Sequence, residues 1–137
     1  MESETVVGTA SCHCEKVQIE FTAPKNVAVF KCNCSICLMR QNHHFVLPQE
    51  KVKLLEDSED YLTTYTFNTK VAKHKFCKVC GVQCFYQPRS NPDGYAITIY
   101  CVKDYEQLFE SITWNEFDGQ EWEQQMETSD ISKYSKT

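Results

Sequence analysis

The sequence predicts a mainly β domain with a short C-terminal helix. Short runs rich in β-branched and aromatic residues follow one another, and "VQIEF" at 17–21 alternates apolar and polar residues as a half-buried strand does. Turn sequences separate the runs, among them "APKN" at 23–26 and "PRSNPDG" at 88–94. At 137 residues the chain has room for one domain with short tails.

Each element is bounded by a local signal. The run before "APKN" and the run after it are separate strands, and Leu47-Pro48 ends a later one. Predicted strands lie at 6–14, 17–22, 27–33, 44–47, 52–55, 62–67, 72–77, 82–86 and 95–101. Helices are predicted at 35–40, 105–110 and 120–126. We expect a flexible N-terminus at 1–7, one domain at 8–128 and a C-terminal tail at 129–137.

Charge and hydropathy exclude two classes of partner. The formal net charge is −5, with 14 basic against 19 acidic residues, which argues against a nucleic-acid groove. No apolar run resembles a signal peptide or approaches the ~20 residues of a membrane span. We therefore expect an intracellular protein, cytoplasmic or nuclear, whose nine cysteines are reduced and serve metal or thiol chemistry.

Seven cysteines form three clusters at the spacing of metal ligands. In a strand a C-x-C pair directs both sulfurs to one face. The sequence "CKVCG" is typical of a metal knuckle, in which Gly81 takes a positive φ and turns its N–H toward sulfur. The alternative is that these cysteines are small buried hydrophobic residues. The clusters are Cys12 and Cys14; Cys32, Cys34 and Cys37; and Cys77 and Cys80.

Seven ligands divide most simply into four and three, and the spacing leaves open which clusters share a metal. Two closed sites would need one more ligand, which His43 or His44 would supply. An open site of three thiolates is the other possibility. A zinc ion with three sulfur ligands is a soft centre that favours a thiol in the fourth position.

The motifs "SCHCEKVQIEF", "CNCSIC…HF.LP", "TTYTFNT…HKFCKVCGVQCFY" and "PRSNPDG" resemble the glutathione-dependent formaldehyde-activating enzyme family, and within it the domain of centromere protein V. The resemblance runs from about Gly8 to Met126. It implies an Mss4-like, β-rich zinc-binding fold with two zinc ions per chain. It also implies carbon–sulfur lyase chemistry on S-hydroxymethylglutathione, the adduct of formaldehyde and glutathione.

The resemblance also implies the pairing of the ligands. Cys12, Cys14, Cys77 and Cys80 would hold a structural zinc, and Cys32, Cys34 and Cys37 would hold the catalytic one. One departure is Glu15, which stands where members of the family commonly carry glycine. A second is that the first motif begins at Gly8, so a centromere or microtubule role that depends on a long N-terminal extension is not expected.

Several neighbours are candidates for substrate contacts. His44 or His43 would move the hydroxyl proton of a hemithioacetal. Arg40, Asn42 and Arg89 lie in segments suited to bind the carboxylates of glutathione. Each of these also fits a surface or packing role. Cys84 is expected in the core, Cys101 in the core or beside a metal site, and Trp114, Phe117 and Trp122 are expected to seal the C-terminal segment onto the sheet.

Two functions follow from these observations. The first is a zinc-dependent carbon–sulfur lyase acting on a thiol–aldehyde adduct. The second is a non-catalytic zinc module that binds a protein partner. A vacant ligand position on the three-cysteine zinc, opening on a pocket, would distinguish the enzyme from the module.

Overall fold

The computed structural model describes residues 5–33, 35–55, 57–67, 71–89 and 91–117. Within these ranges the chain is mainly β, as predicted, with two short helices, α1 at Ser35–Arg40 and α2 at Tyr105–Leu108. The strands are β1 Thr5–Ser11, β2 Gln18–Pro24, β3 Asn26–Cys32, β4 His43–Pro48, β5 Val52–Leu54, β6 Leu62–Tyr65, β7 His74–Cys77, β8 Phe85–Tyr86, β9 Gly94–Thr98 and β10 Ser111–Phe117. The predicted helix at 120–126 lies outside the described residues.

A five-stranded sheet in the order β10-β3-β4-β9-β8 forms the centre of the fold. Its neighbours are antiparallel, except that β10 runs parallel to β3 with Ile112 opposite Val27. Strand β10 was not predicted, although its sequence "SITWNEF" has the β-branched and aromatic residues of a strand. The parallel pairing brings the end of β10 beside Cys32, where Phe117 is its register partner.

Two smaller sheets complete the fold. The order β1-β2-β5 forms a three-stranded antiparallel sheet, and β6 pairs with β7. β1 begins at Thr5, one residue before the strand predicted at 6–14, so residues 5–7 of the N-terminal segment 1–7 form part of this sheet. At its other end β1 stops at Ser11, three residues before the predicted end of the strand, because the chain turns at the first cysteine pair.

The main core lies between the three-stranded and five-stranded sheets. Phe21 from β2 meets Phe45 from β4 edge to face at 5.4 Å between ring centroids, and Phe109 contacts both rings. Phe21 and Phe45 are each 1 % exposed. Burying a side chain of this kind contributes about 1.5–3 kcal/mol, so these rings supply much of the attraction between the sheets.

The five-stranded sheet is buried on its second face as well. Alternate residues of each strand point to opposite faces, so Phe45 and Phe85 join the main core while Val46 and Tyr86 join a second cluster. The members of the second cluster are Phe30, Cys37, Val46, Tyr86 and Ala96, with Ala28 and Cys32 packed against them. Cys37 belongs to α1, so this helix covers the second face.

Helix α1 ends where predicted, and its end is fixed by backbone geometry. Gln41 takes a left-handed conformation with φ of 54°. The N–H of Asn42 then bonds the carbonyl of Cys37 at 3.0 Å and the N–H of Gln41 bonds that of Leu38 at 3.3 Å, which is the Schellman pattern. This cap places Asn42 directly beneath the helix, next to Cys37. No helix among the described residues is long and apolar enough to cross a membrane.

Gly8 marks the closest approach of β1 to the main core. A Cβ atom at this position would lie 2.5 Å from Leu108 Cδ2 and 2.8 Å from Cζ of Phe21. Leu108 can move, but the ring of Phe21 is buried against Phe45 and Phe109. We expect Gly8→Ala to lower the free energy of unfolding by about 1–3 kcal/mol, measured by urea denaturation. Thr9→Ala, on the exposed face of the same strand, is the matched control and should have a small effect; equal stabilities of the two variants would contradict this packing.

Candidate metal centres

Four cysteines from two distant turns come together. Their sulfurs, from Cys12, Cys14, Cys77 and Cys80, all lie within 4.8 Å of one another. Cys12 and Cys14 stand in the turn after β1, and Cys77 and Cys80 at the end of β7 and in the turn that follows. The structure thus brings together the first and third cysteine clusters, which is the pairing that the family resemblance implied.

The first turn differs from the predicted one. The C-x-C pair was expected on a strand, but Cys12 and Cys14 lie beyond the end of β1 in a turn closed by hydrogen bonds from Cys12 N–H to Val17 O and from Glu15 N–H to Cys12 O. The turn requires a positive φ at Glu15, which is 68°. A positive φ accounts for the glycine expected at this position, because glycine adopts the left-handed region at little cost, and Glu15 takes the same conformation at a higher cost.

The knuckle turn supplies N–H donors to sulfur. Val79 N–H and Cys80 N–H point at Cys77 Sγ, at 3.3 and 3.5 Å. Gly81 has a positive φ of 80°, as predicted, but its N–H donates to the carbonyl of Cys77 and not to a sulfur. In the first turn Val17 N–H donates to Cys12 Sγ at 3.3 Å. Hydrogen bonds of this kind favour the thiolate form.

The distances between the sulfurs fit a tetrahedral metal ion. Ligands held about 2.3 Å from a tetrahedral zinc lie about 3.8 Å from one another. The separation is 3.7 Å between Cys12 and Cys14 and 3.6 Å between Cys14 and Cys77. The four cysteines can therefore hold a metal ion with little movement.

The thiol pKa values of this cluster diverge. Desolvation raises the pKa of Cys80, but hydrogen bonds from the backbones of Cys14 and Val82 and from neighbouring thiols outweigh it and bring the pKa to about 6. A backbone hydrogen bond from Lys16 lowers the pKa of Cys14, but burial and the three neighbouring thiols bring it to about 11. Four thiols this close do not all ionise by themselves, and a cation removes the repulsion that separates their pKa values.

Cys84 and Cys101, which belong to none of the three sequence clusters, also lie outside the four-cysteine site. Cys84 is buried in the main core, as expected, and desolvation raises its pKa well above the ordinary value. Cys101 is half-buried, with Sγ 3.8 Å from the carbonyl oxygen of Gln83. Desolvation raises its pKa to about 11. Both therefore stay protonated and unreactive at neutral pH.

Two members of the second cysteine cluster, Cys32 and Cys37, lie on the other face of the five-stranded sheet. Cys32 ends β3 and is half-buried, and Cys37 in α1 is 2 % exposed. Both pack in the second hydrophobic cluster. Cys34 lies outside the described residues, so the three-cysteine site stays a prediction.

Polar groups surround Cys37. The hydroxyl of Tyr86 lies 3.8 Å from its sulfur and Nδ2 of Asn42 lies 3.9 Å from it. His44 is 2 % exposed, and its Nε2 lies 3.5 Å from Tyr86 Oη, so Tyr86 links it to Cys37. His43 points the other way, with Nδ1 2.9 Å from Tyr100 Oη, and desolvation followed by the charge of Lys31 lowers its pKa.

A cleft of about 890 Å³ runs from the end of α1 to the four-cysteine turns. Arg40 and Asn42 line it, together with Gln83, Tyr100 and Lys103. Arg40 is exposed, and its guanidinium lies 5.3 Å over the ring of Phe76. Arg89, the third residue predicted to bind glutathione, is half-buried in the turn after β8 and is not among the described residues that line the cleft.

Three residues near Cys37 or in the cleft were not predicted as site residues: Tyr86, Gln83 and Lys103. The alternation of side chains along a strand indicates only that Tyr86 and Phe85 point to opposite faces. The approach of Tyr86 to Cys37 depends on the packing of α1 over the sheet. Trp114, expected to seal the C-terminal segment, is 42 % exposed, with Lys31 Nζ 5.2 Å over its ring. Trp122 and the side chain of Phe117 lie outside what is described.

The β-rich fold and the four-cysteine cluster define a small β protein whose clustered cysteines could hold a metal ion. The profile of the family described as glutathione-dependent formaldehyde-activating enzyme matches residues 7–117. The chain belongs to this family.

Among solved structures, the chain is similar to the crystal structure of a Rhodobacter sphaeroides protein, with a TM-score of 0.63 and 27% identity. The match covers 78% of this chain and 99% of that one. Both comparisons agree with the β-rich, Mss4-like fold, and neither bears on the resemblance to centromere protein V.

The four-cysteine site predicts unequal effects of two equally buried cysteines. Cys77 and Cys84 are 0 % and 2 % exposed, so alanine at either removes the same atoms from the core. Cys77→Ala should release one metal ion per chain and unfold most of the protein, since a structural zinc contributes on the order of 10 kcal/mol. Cys84→Ala should keep the metal and lose about 1–2 kcal/mol.

Elemental analysis and the melting temperature measure both effects. Equal metal content and equal melting temperatures in the two variants would show that the four cysteines are core residues without a metal.

Proposed function

We propose that the protein is a zinc-dependent carbon–sulfur lyase that makes or breaks a thiol–aldehyde adduct such as S-hydroxymethylglutathione. In this proposal each chain holds two zinc ions. Cys12, Cys14, Cys77 and Cys80 hold a structural ion, and Cys32, Cys34 and Cys37 hold the one used in the reaction. The observation that carries the proposal is the family match over 7–117, which spans all seven cysteines.

The reaction places simple demands on the site. In the forward direction the sulfur of the thiol bonds to the aldehyde carbon, the carbonyl π bond breaks, and the thiol proton ends on the oxygen as a hydroxyl. The reverse reaction breaks the carbon–sulfur bond and returns that proton. The site must therefore bind a thiolate and let one proton move between sulfur and oxygen.

Zinc bound by three thiolates would supply a soft Lewis-acid position that holds a further sulfur as thiolate. The chain contributes the surroundings of that position. Cys37 is buried, so water has little access to the sulfur-rich side of the site. The polar groups around Cys37, among them His44, are shielded from solvent. This burial supports a role for them in orienting Cys37 and in moving the proton.

The cleft beside α1 supports binding of an anionic peptide thiol. Glutathione carries two carboxylates, and the cleft is lined by two cations, Arg40 and Lys103. Arg40 is the last residue of α1 and is thus close in sequence to Cys37. Asn42, which was also expected to bind glutathione, already bonds Gln83 Oε1 and accepts from Thr98. We assign the carboxylate contacts to Arg40 and Lys103 instead of Asn42 and Arg89.

One observation favours the alternative, a non-catalytic zinc module that binds a protein partner, similar to centromere protein V. Leu38 and Met39, on α1 beside the cysteine cluster, are 50 % and 87 % exposed. Exposed apolar side chains of this size on a helix suit a protein contact. On this alternative the three cysteines would hold α1 in place, and the adduct would form no faster than in buffer.

Exchange spectroscopy with ¹³C-formaldehyde and glutathione separates the two functions. We expect the zinc-loaded protein to accelerate the exchange between free and adduct carbon above the buffer rate. Cys34→Ser should abolish this acceleration in a folded protein, because that cluster is local in sequence and does not join distant turns. A protein that carries two zinc ions and leaves the exchange rate unchanged would favour the partner-binding module.

The same assay tests the carboxylate contact. Arg40→Ala should raise the KM for glutathione about tenfold with little change in kcat, since an ion pair of this kind contributes on the order of 1–2 kcal/mol. Arg89→Ala is the matched control, because Arg89 is the other arginine of the chain and does not line the cleft. A larger effect from Arg89→Ala would contradict the assignment.

A further inference from the structure

We propose that Tyr86 is a positioning residue of the three-cysteine site. Its hydroxyl donates a hydrogen bond to the sulfur of Cys37 and so orients this ligand without contacting the metal. This inference rests on the proposed function for the presence of a metal. It concerns a residue to which the family resemblance assigns no role.

The ring of Tyr86 is held so that its hydroxyl lies beside the sulfur of Cys37. It lies in β8, in register with Ala96 of β9, and is 5 % exposed on the face of the sheet that α1 covers. The ring stacks on His74 at 5.0 Å with an angle of 12° between the planes. His44 meets the ring edge-on at 5.3 Å and 82°. The two histidines hold the ring in place between them.

Hydrogen-bond chemistry sets the direction of the contacts. A thiolate accepts hydrogen bonds and donates none, so the Tyr86 hydroxyl donates across the 3.8 Å to Cys37 Sγ. A lone pair of the hydroxyl oxygen is then left to accept from His44 Nε2–H at 3.5 Å. With these donor and acceptor roles, the neutral ring of His44 carries its proton on Nε2. His44 thereby orients the hydroxyl of Tyr86.

Asn42 supplies a second donor to the same sulfur. One hydrogen of Nδ2 goes to Gln83 Oε1 at 3.2 Å and the other points at Cys37 Sγ at 3.9 Å. Its Oδ1 accepts from Thr98 Oγ1 at 3.0 Å, and its backbone N–H caps α1 on the Cys37 carbonyl. Both donors and the acceptor of the Asn42 amide are thus engaged, which fixes its orientation beside the sulfur.

Two donors on one buried sulfur have a predictable effect on a bound metal. Hydrogen bonds stabilise the thiolate, keep it deprotonated and fix its orientation, and loss of such outer partners typically weakens metal binding about 10–100-fold. They also stabilise the sulfur lone pairs, so removing one should move the sulfur-to-cobalt charge-transfer band of a Co²⁺-loaded site to lower energy.

Tyr86→Phe removes only the hydroxyl and keeps the ring between His74 and His44. We expect the Co²⁺ or Zn²⁺ affinity of the three-cysteine site, measured by chelator competition, to fall about 10–100-fold, with a shift of its charge-transfer band to lower energy. Subtracting the spectrum of Cys32→Ser isolates this site from the four-cysteine one. Asn42→Leu should shift the band in the same direction.

Tyr95→Phe is the matched control, because Tyr95 packs edge-on against Phe85 in the main core. It should leave the band and the affinity unchanged. A folded Tyr86→Phe protein with an unchanged band and unchanged affinity would overturn the inference while leaving the proposed function intact. An intact protein that binds a single Co²⁺, at the four-cysteine site alone, would overturn both.

Discussion

The approach of four sulfurs from two turns is the constraint on which the fold depends. Cys14 and Cys77 are 63 residues apart in sequence, and their sulfurs lie 3.6 Å apart. The contact fixes the turn after β1 against the turn after β7, and so joins the three-stranded sheet to the two-stranded one. In a chain of 137 residues, whose core is modest, a metal at this point would supply a large part of the net stability.

The five-stranded sheet separates the four-cysteine cluster from the surroundings of Cys37. Its strands alternate between two buried faces, so neighbouring residues serve different sites. Phe85 packs in the core shared with Cys12 and Cys77, whereas Tyr86 faces Cys37. His43 and His44 divide in the same way. A register slip of one residue in β4 or β8 would move each side chain to the opposite face of the sheet. His44 and Tyr86 would then no longer lie on the face that Cys37 covers.

Local signals in the sequence predicted the features that depend on local chemistry. The mainly β fold, helix α1 and the positive φ of Gly81 follow from alternation, turn residues and the knuckle motif. The parallel pairing of β10 with β3 did not follow, because it joins segments about 85 residues apart through a connection that no local pattern encodes.

The same distinction applies to the candidate sites. The spacing of Cys12, Cys14, Cys77 and Cys80 marked them as ligands, but spacing does not show that they meet; the resemblance supplied that pairing. Asn42 and His44 were proposed from their position near Cys37 as partners of the substrate and the proton. Their actual neighbours, Thr98, Gln83 and Tyr86, come from strands β8 and β9 and the segment before them, so only the packed structure reveals that both act around the cysteine.

The central claim is that the chain holds two zinc ions in different coordination, one closed by four cysteines and one open to a thiol. An anomalous difference map at the zinc edge, from crystals grown without chelator, tests it most directly. The account predicts two peaks per chain. One is about 2.3 Å from the sulfurs of Cys12, Cys14, Cys77 and Cys80, and the other is at that distance from Cys32, Cys34 and Cys37 with no fourth protein ligand. A single peak at the four-cysteine cluster, or a second site closed by a histidine, would contradict it.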